Sequence, residues 1–195
     1  GTIIDHTNIK AFDQQNALQA CKNMIKKHIQ EVPKVSAVRV NGQRLYATKD
    51  VVVLPKREVD VVDCRLMSFD EQTLTYEATV SKGTYIRVLS ETIASACNGN
   101  IGTTIALRRV KNGLIDNIMT QSLNDAIADP HWLDLRMLLS EYPIIDISDP
   151  TDVYHGKRLT IKSEHDRICL FYKEEPLAFY VREQEDQYRS ERGLW

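Results

Sequence analysis

The sequence feature that most constrains this fold is a sudden change of hydrophobic period near Gly83. Across Thr73–Val80, apolar and polar residues alternate, which is the pattern of a strand with one buried face. Across Ile86–Cys97, apolar residues instead recur at helical spacing. A glycine between the two segments permits a tight backbone path. The pattern therefore predicts a strand that turns sharply into a helix, so the chain must combine sheet and helical structure.

Two polar side chains, Tyr85 and Arg87, lie at this predicted corner. Polar residues at such corners often face a cleft. A tyrosine offers a flat stacking surface, and an arginine two residues later can bind an anion through two parallel hydrogen bonds. The alternative is a tyrosine packed in the core beside a solvent-exposed arginine, and the spacing alone does not decide between the two.

Shorter patterns divide the rest of the chain into elements. Asp13 is a suitable N-cap for a helix that Pro33 would end, and Asn41-Gly42 is typical of a tight turn between strands. Periodicity and turn residues predict further strands at 35–40, 59–69, 103–110, 144–147, 158–161, 168–172 and 177–181, and helices at 122–128 and 132–139. The whole pattern predicts an α+β chain, in which a mixed, largely antiparallel sheet with flanking helices precedes a small C-terminal β subdomain.

Charge is unevenly distributed along the 195 residues. The net charge is -2, which does not suggest general affinity for nucleic acid. Residues 34–111, however, hold 12 Lys or Arg against 8 Asp or Glu, whereas residues 112–195 hold 9 against 16. The positive segment contains the predicted corner, so it suits local contact with phosphates beside a stacking residue.

The cysteines and the hydropathy exclude several classes of protein. Cys21, Cys64, Cys97 and Cys169 are widely spaced, form no CxxC pair and do not cluster with histidines. We therefore expect reduced thiols and no zinc site. No apolar run approaches the length of a membrane span, and no signal peptide is visible. These features predict a cytoplasmic protein that contacts no membrane and holds no metal.

Three segments, taken in order, resemble motifs of the TruB family of tRNA pseudouridine synthases. Ser81–Leu89 reads SKGTYIRVL and resembles the family's KGTYIR motif. Val35–Tyr46 resembles the segment SAlkvnGkrlY, and Ala106–Gly113 resembles LRRxxxG. Three ordered motifs over roughly eighty residues are much more specific than any one of them. The resemblance implies that residues 1–140 form the C-terminal portion of a pseudouridine synthase catalytic domain, and residues 141–195 a PUA-like RNA-binding subdomain.

The resemblance also implies roles for individual residues. Tyr85 and Arg87 match catalytic positions, at which the tyrosine contacts the flipped-out base and accepts or relays a proton, while the arginine orients the nucleophilic carboxylate. Tyr46 matches an aromatic residue that lies against the flipped uridine. Leu107 matches an apolar position near the target base, with a plain core position as the alternative. RNA contacts are implied for four basic residues of the motifs: Lys82, Arg44, Arg108 and Arg109.

Members of this family isomerise a uridine in the T loop of tRNA, at position 55 of the tRNA, by flipping the base and using an aspartate as nucleophile. The reaction needs no metal or redox cofactor. The resemblance therefore implies a synthase that binds the T-arm of tRNA and acts as a cytoplasmic monomer. For residues 141–195, the acidic composition leaves RNA contact and simple packing as open alternatives.

The family's aspartate lies in a GTLDPxATG motif, which this sequence does not contain. Asp116 follows the other motifs and has different neighbours. The first residue is Gly1 rather than Met, which indicates a processed, tagged or partial chain. We therefore expect the parent protein to be a synthase and this chain alone to be inactive. The alternatives are a non-catalytic RNA-binding protein on the same scaffold, and an interaction protein that shows no salt-dependent affinity for tRNA.

Overall fold

The chain divides into two compact units, Gly1–Leu107 and Arg108–Trp195. Each unit has its own hydrophobic core. The predicted boundary after residue 140 separates two functional parts, a portion of a catalytic domain and a PUA-like subdomain, and it stays a prediction. The structure, a computed structural model, describes residues 5–48, 53–70 and 72–194.

The first unit packs helices against an antiparallel sheet. Its elements are, in chain order, helix α1 (Gln14–Asn23), strands β1 (Lys27–Glu31), β2 (Arg39–Val40), β3 (Gln43–Arg44), β4 (Lys56–Phe69) and β5 (Leu74–Val80), and helix α2 (Ile86–Ala96). The sheet has the order β1-β4-β5, so the long strand β4 is central. Strands β2 and β3 form a separate hairpin, and the predicted turn at Asn41-Gly42 connects them.

The core of the first unit lies between the sheet and the two helices. Val61 and Cys64 of β4 belong to the same buried cluster as Cys21 of α1 and Leu89 and Ile93 of α2. Each of these side chains is at most 3% exposed. Burying an aliphatic side chain of this size contributes roughly 1.5–3 kcal/mol, so this cluster fixes the helices on the sheet.

The first helix begins as predicted but ends earlier. The Asp13 carboxylate accepts from the Asn16 N–H at 2.7 Å, and the Asn16 side-chain oxygen accepts from the Asp13 N–H at 3.1 Å. Asparagine therefore completes a capping box that usually contains Glu or Gln. The helix ends at Asn23 instead of near Pro33. The prediction was wrong because the next residues pair with β4 as strand β1, and this sheet pairing overrides their helical spacing.

The predicted strand-to-helix corner is confirmed at both ends. The alternating segment forms β5, and the residues with helical spacing form α2. Leu89, Ile93 and Cys97 are buried as the spacing predicts. The helix ends at Ala96, and Asn98 and Gly99, which both have positive φ, follow its C-cap residue Cys97.

Residues 103–110 do not form the predicted strand. Just before them, Gly102 lies against α2, where an added Cβ would stand 2.4 Å from the Cβ of Ala94. The Thr104 Oγ1 donates to the Ser90 Oγ at 3.0 Å. The prediction was wrong because the chain packs on α2 at Gly102 and Thr104, and none of the described strands pairs with the segment.

The second unit is built on a mixed sheet. Its elements are β6 (Lys111–Asn112), β7 (Ile115–Asp116), α3 (Leu123–Ala128), α4 (Leu135–Leu138), β8 (Ile144–Asp146), α5 (Thr151–Tyr154), β9 (Leu159–Thr160), β10 (Arg167–Tyr172), β11 (Glu175–Gln184) and β12 (Gln187–Gly193). The sheet has the order β8-β10-β11-β12-β9. Strands β8 and β10 run parallel, and the other neighbours run antiparallel.

The four strands predicted within residues 141–195 are confirmed, and one strand of this segment, β12, was missed. The sequence did not indicate β12 because it is mostly polar and its single fully buried aromatic residue is Tyr188. Tyr188 packs with Ile168, Leu170 and Tyr180 in the core of this sheet. The α+β class is thereby confirmed, while the likeness of residues 141–195 to a PUA domain stays a prediction.

Candidate functional site

A tight turn at the end of β5 positions the candidate site. The Ser81 N–H donates to the Asp60 carbonyl, and the Asp60 N–H donates to the Ser81 Oγ, both at 2.8 Å. The Thr84 Oγ1 donates to the Ser81 carbonyl at 2.8 Å. Gly83 has a φ of +87°, which L-residues rarely adopt. These contacts fix the turn that delivers Tyr85 to the start of α2, so we call Ser81–Arg87 the corner.

A buried glutamine holds the backbone of Tyr85. The Tyr85 N–H donates to the Gln30 Oε1 at 3.0 Å, and the Gln30 Nε2 donates to the Tyr85 carbonyl at 3.4 Å. Gln30 is only 5% exposed. The sequence analysis missed this residue because it placed Gln30 in a helix, and no local pattern marks a contact between residues 55 positions apart.

An arginine of the central strand lies over the ring of Tyr85. The Arg57 Cζ is 5.5 Å from the centroid of the Tyr85 ring, within the range of a cation–π interaction. The Arg57 Nη1 also approaches the Gly83 carbonyl at 3.5 Å. The sequence analysis did not select Arg57 as a site residue. Its position before a run of β-rich sequence gives no indication that it reaches the corner.

Arg87 lies in the first turn of α2 without an ionic partner. Its Nη2 donates to the Val35 carbonyl at 2.8 Å. Among the residues that the structure describes, no carboxylate lies within 4.0 Å of this guanidinium. The N-cap residue Tyr85 provides no side-chain cap, and the first turn contains no acidic residue. A cation at the positive end of a helix dipole is unfavourable by itself, so this end of α2 suits a bound anion.

The hairpin that carries Tyr46 is connected to the corner. The Tyr46 N–H donates to the Ser36 carbonyl at 3.2 Å, and the preceding residue, Val35, accepts the hydrogen bond from Arg87. The Tyr46 ring is 56% exposed, and its hydroxyl accepts from the Arg44 Nη1 at 3.1 Å. The hairpin segment thus presents the Tyr46 ring and the Arg44 cation. It is linked to α2 through the adjacent carbonyls of Val35 and Ser36.

The remaining predicted site residues are solvent-exposed. Lys82 lies on the turn and makes no hydrogen bond or ion pair within the described part of the chain. Leu107 ends the first unit and is 66% exposed, so it is not a core residue of that unit. Arg108 and Arg109 begin the second unit outside any strand, whereas the sequence predicted that both lie in a strand over 103–110. The roles of these four residues stay predictions.

Two groups near α2, the buried Cys64 thiol and the half-buried Tyr76 phenol, have raised pKa values. A hydrogen bond with Cys21 and burial both raise the pKa of the Cys64 thiol above its usual range. Burial raises the pKa of Tyr76, although its hydrogen bond to Ser90 opposes the shift. All four cysteines are buried free thiols, so we assign them to the cores and not to chemistry.

The described residues, 5–48, 53–70 and 72–194, contain neither a candidate metal site nor a helix that could span a membrane. No group of three His, Cys, Asp or Glu side chains there is arranged to hold a metal ion. Within the same residues, every helix is too short or too polar to cross a bilayer.

The fold of the chain is shared with a known crystal structure. A chain in the crystal structure of a Cbf5-Nop10-Gar1 complex superposes on 93% of this chain with a TM-score of 0.60. The matched part makes up 58% of that chain, and the sequences are 15% identical. At this identity the match defines the fold class and carries no statement about activity.

Sequence comparison defines the family. Residues 1–86 match the model of the TruB family pseudouridylate synthase N-terminal domain. Proteins named tRNA pseudouridine synthase B are 32% identical in Rickettsia bellii, over 70% of this chain and 50% of that protein, and 28% identical in Mesoplasma florum, over 84% and 59%. The corresponding protein of Caldicellulosiruptor saccharolyticus is 30% identical over 77% and 53%. The chain belongs to the TruB family, as its three motifs indicate, and it spans about half the length of these curated relatives.

Proposed function

We propose that this chain forms the substrate-binding wall of a tRNA pseudouridine synthase that acts on the T-loop uridine. The observation that carries the proposal is Arg87, which has no ionic partner among the described residues and lies at the uncapped start of α2, two residues after Tyr85, in a chain of the TruB family. An unpaired guanidinium at a helix N-terminus is unfavourable without an anionic partner. The catalytic carboxylate of such a synthase is a suitable partner.

In the proposed reaction, the target uridine leaves its stack and enters the space beside the corner. Tyr46 stacks on the flipped base, and a base–aromatic contact contributes about 1–3 kcal/mol towards the cost of unstacking. Tyr85 contacts the same base and accepts or relays the proton released from carbon when the glycosidic bond is re-formed. Leu107 provides apolar contact near the base.

Arg87 orients and stabilises the ionised form of the nucleophilic aspartate. None of the aspartates in the printed sequence stands in a GTLDPxATG motif. We therefore propose that the isolated 195-residue polypeptide binds RNA but does not turn over. Formation of pseudouridine by this polypeptide would contradict that part of the proposal.

The cations that face RNA belong mainly to the corner and the hairpin. Lys82 is free of ionic partners in the described chain, and Arg44 is bonded to a phenol and not to a carboxylate. Arg108 and Arg109 are also proposed to contact phosphates of the T-arm. By contrast, several cations of the second unit are neutralised by carboxylates: Arg136 by Asp146, Lys157 by Asp152, Arg158 by Glu183, Arg167 by Glu191 and Arg182 by Asp166. RNA contact by residues 141–195, a cytoplasmic location and a monomeric state stay predictions.

The test is the binding of a T-arm hairpin RNA, measured by fluorescence anisotropy at several salt concentrations. We expect Arg44→Ala to weaken binding at least about tenfold, because a charge-assisted contact with a phosphate contributes about 1.5–3 kcal/mol. Arg158→Ala is the matched control, because this arginine is paired with Glu183 in the second unit. If the wild-type chain shows no salt-dependent affinity for the hairpin, the proposal is wrong and an interaction protein without an RNA role is favoured.

A second candidate function is a non-catalytic RNA-binding protein, favoured by the absence of the GTLDPxATG motif from the sequence. Both candidates predict RNA binding, so affinity does not separate them. The intact mass of the natural polypeptide does. A mass well above 22.3 kDa supports the enzyme, because a further segment can then supply the aspartate, whereas a mass equal to this value supports the RNA-binding protein.

A further inference from the structure

Gln30 satisfies both backbone polar groups of Tyr85 with a single side chain. Its carboxamide accepts from the Tyr85 N–H and donates to the Tyr85 carbonyl. The same carbonyl also accepts the first hydrogen bond of α2, from the Leu89 N–H at 3.1 Å. The Tyr85 peptide is therefore held both by the helix it begins and by a strand that lies far away in sequence.

Burial makes this contact selective for one geometry. Gln30 is 5% exposed, so water cannot readily replace Tyr85 as the hydrogen-bond partner of its carboxamide. A buried amide that loses its partners carries a large desolvation cost, which disfavours other orientations of the Tyr85 peptide. Tyr85 has φ -88° and ψ 107°, an extended conformation, immediately before the first residue of α2. The contact thus holds the residue at the point where strand geometry becomes helix geometry.

We infer that Gln30 is a positioning residue, which fixes the Tyr85 peptide so that the phenol ring meets the target base in one orientation. The inference rests on the proposed function, in which Tyr85 contacts the flipped uridine. Both hydrogen bonds of the Gln30 side chain with the corner are to the backbone of Tyr85, and Gln30 is not assigned a contact with RNA. Small errors of orientation reduce reactivity much more than they reduce overall affinity, because most affinity comes from phosphate contacts.

Two variants separate hydrogen bonding from shape. Gln30→Met retains the length of the side chain and removes both hydrogen bonds. Gln30→Glu retains an oxygen that can accept from the Tyr85 N–H and removes the donor to the Tyr85 carbonyl. Gln15→Met is the matched control, because Gln15 is exposed on α1 and its side chain makes no hydrogen bond in the described chain.

The first measurement is amide hydrogen exchange by NMR, which needs no RNA. We expect exchange at the Tyr85 amide to accelerate about tenfold or more in Gln30→Met, while the Leu89 amide keeps its protection. In Gln15→Met, the Tyr85 amide should exchange at nearly the wild-type rate, and in Gln30→Glu the rate should lie between those of wild type and Gln30→Met, because the buried carboxylate still accepts from the N–H but is repelled by the Tyr85 carbonyl. Equal protection of the Tyr85 amide in wild type and Gln30→Met overturns the inference, and so does an equal loss at both amides, which indicates general destabilisation.

The second measurement uses a T-arm hairpin RNA with 5-fluorouridine at the target position. We expect Gln30→Met to bind it within about threefold of wild type, because the phosphate contacts remain. The shift of the fluorine resonance that wild type produces should be lost in Gln30→Met and kept in Gln15→Met. A shift unchanged in Gln30→Met overturns the positioning role. Absence of binding by wild type overturns the proposed function instead, and the exchange experiment then still tests the contact itself.

Discussion

Gln30 and Arg57 lie directly opposite each other in the antiparallel pairing of β1 with β4, and both contact Tyr85. Gln30 holds the backbone of the tyrosine, and Arg57 lies over its ring. Paired residues of antiparallel strands project to the same face of a sheet, so the two contacts come from one surface. The orientation of Tyr85 is therefore set by the β1–β4 pair as well as by the turn that precedes the tyrosine.

Replacing Arg57 should weaken RNA binding without unfolding the protein. We expect Arg57→Ala to lower the affinity for the T-arm hairpin about five- to tenfold, because it removes a cation beside the Tyr85 ring. Arg57→Lys should recover part of this loss, since lysine restores the charge without the planar guanidinium. Arg65→Ala is the control on the same strand, where Arg65 is paired with Asp63. Equal affinities for Arg57→Ala and Arg65→Ala would show that Arg57 has no RNA contact.

Gly83→Ala should be destabilising for two separable reasons. Gly83 and Gly42 have similar φ values of +87° and +81°, so alanine at either position should cost about 1–2 kcal/mol of unfolding free energy. A Cβ at Gly83 would also lie 2.9 Å from the Arg57 Nη1, whereas a Cβ at Gly42 would have no neighbour within 4 Å. Gly83→Ala should therefore cost more than Gly42→Ala in urea unfolding.

A double variant with Arg57→Ala isolates the contact between the added Cβ at position 83 and the Arg57 side chain. There the excess cost of Gly83→Ala over Gly42→Ala should vanish, because the contacting side chain is gone. An excess that persists in this background would place the strain in the backbone alone.

The capping box of α1 should contribute measurably to stability. We expect Asp13→Ala to lower the unfolding free energy by about 1 kcal/mol, because the N–H of Asn16 loses its acceptor. Asn16→Glu should be tolerated, since glutamate is a usual partner in this motif. Gln15→Ala provides the control within the same helical turn. A loss for Gln15→Ala as large as that for Asp13→Ala would indicate that helix propensity, and not the cap, dominates.

Acid should remove the contribution of the Asp146–Arg136 ion pair to the stability of the folded second unit. The hydrogen bond from Arg136 lowers the pKa of Asp146 below its ordinary value of 3.8. The carboxylate therefore stabilises the folded state at pH values above its unfolded pKa, and the contribution is lost as the pH falls through the lower folded pKa. We expect the Tm of wild type to exceed that of Asp146→Asn at pH 7 and the difference to shrink below about pH 4. A difference that is independent of pH would assign the effect to packing.

The corner was predictable because its signals are local. The alternation in β5 and the apolar spacing in α2 each lie within a dozen residues of sequence. Strand β1 was not predictable, because its apolar residues fit a helix and only pairing with β4 makes it a strand. The strand predicted over 103–110 was wrong for the opposite reason. Its β-rich composition is typical of a strand, yet the chain packs on α2 at Gly102 and Thr104, and none of the described strands pairs with the segment.

The candidate site was predictable only in part. Tyr46, Tyr85 and Arg87 came from the resemblance to a family, and the structure links their segments through Val35 and Ser36. Gln30 and Arg57 were missed because their importance depends on which strands are neighbours. A single sequence contains no direct record of that pairing.

The contact between Gln30 and Tyr85 has a consequence for how related sequences are compared. The two residues are 55 positions apart, and changes of length in the intervening loops leave their contact intact. A shift of one residue within β1, by contrast, would exchange the two faces of the strand and present Ile29 or Glu31 to Tyr85 in place of the carboxamide. An alignment of relatives should therefore allow gaps between the strands and forbid a single-residue gap inside β1.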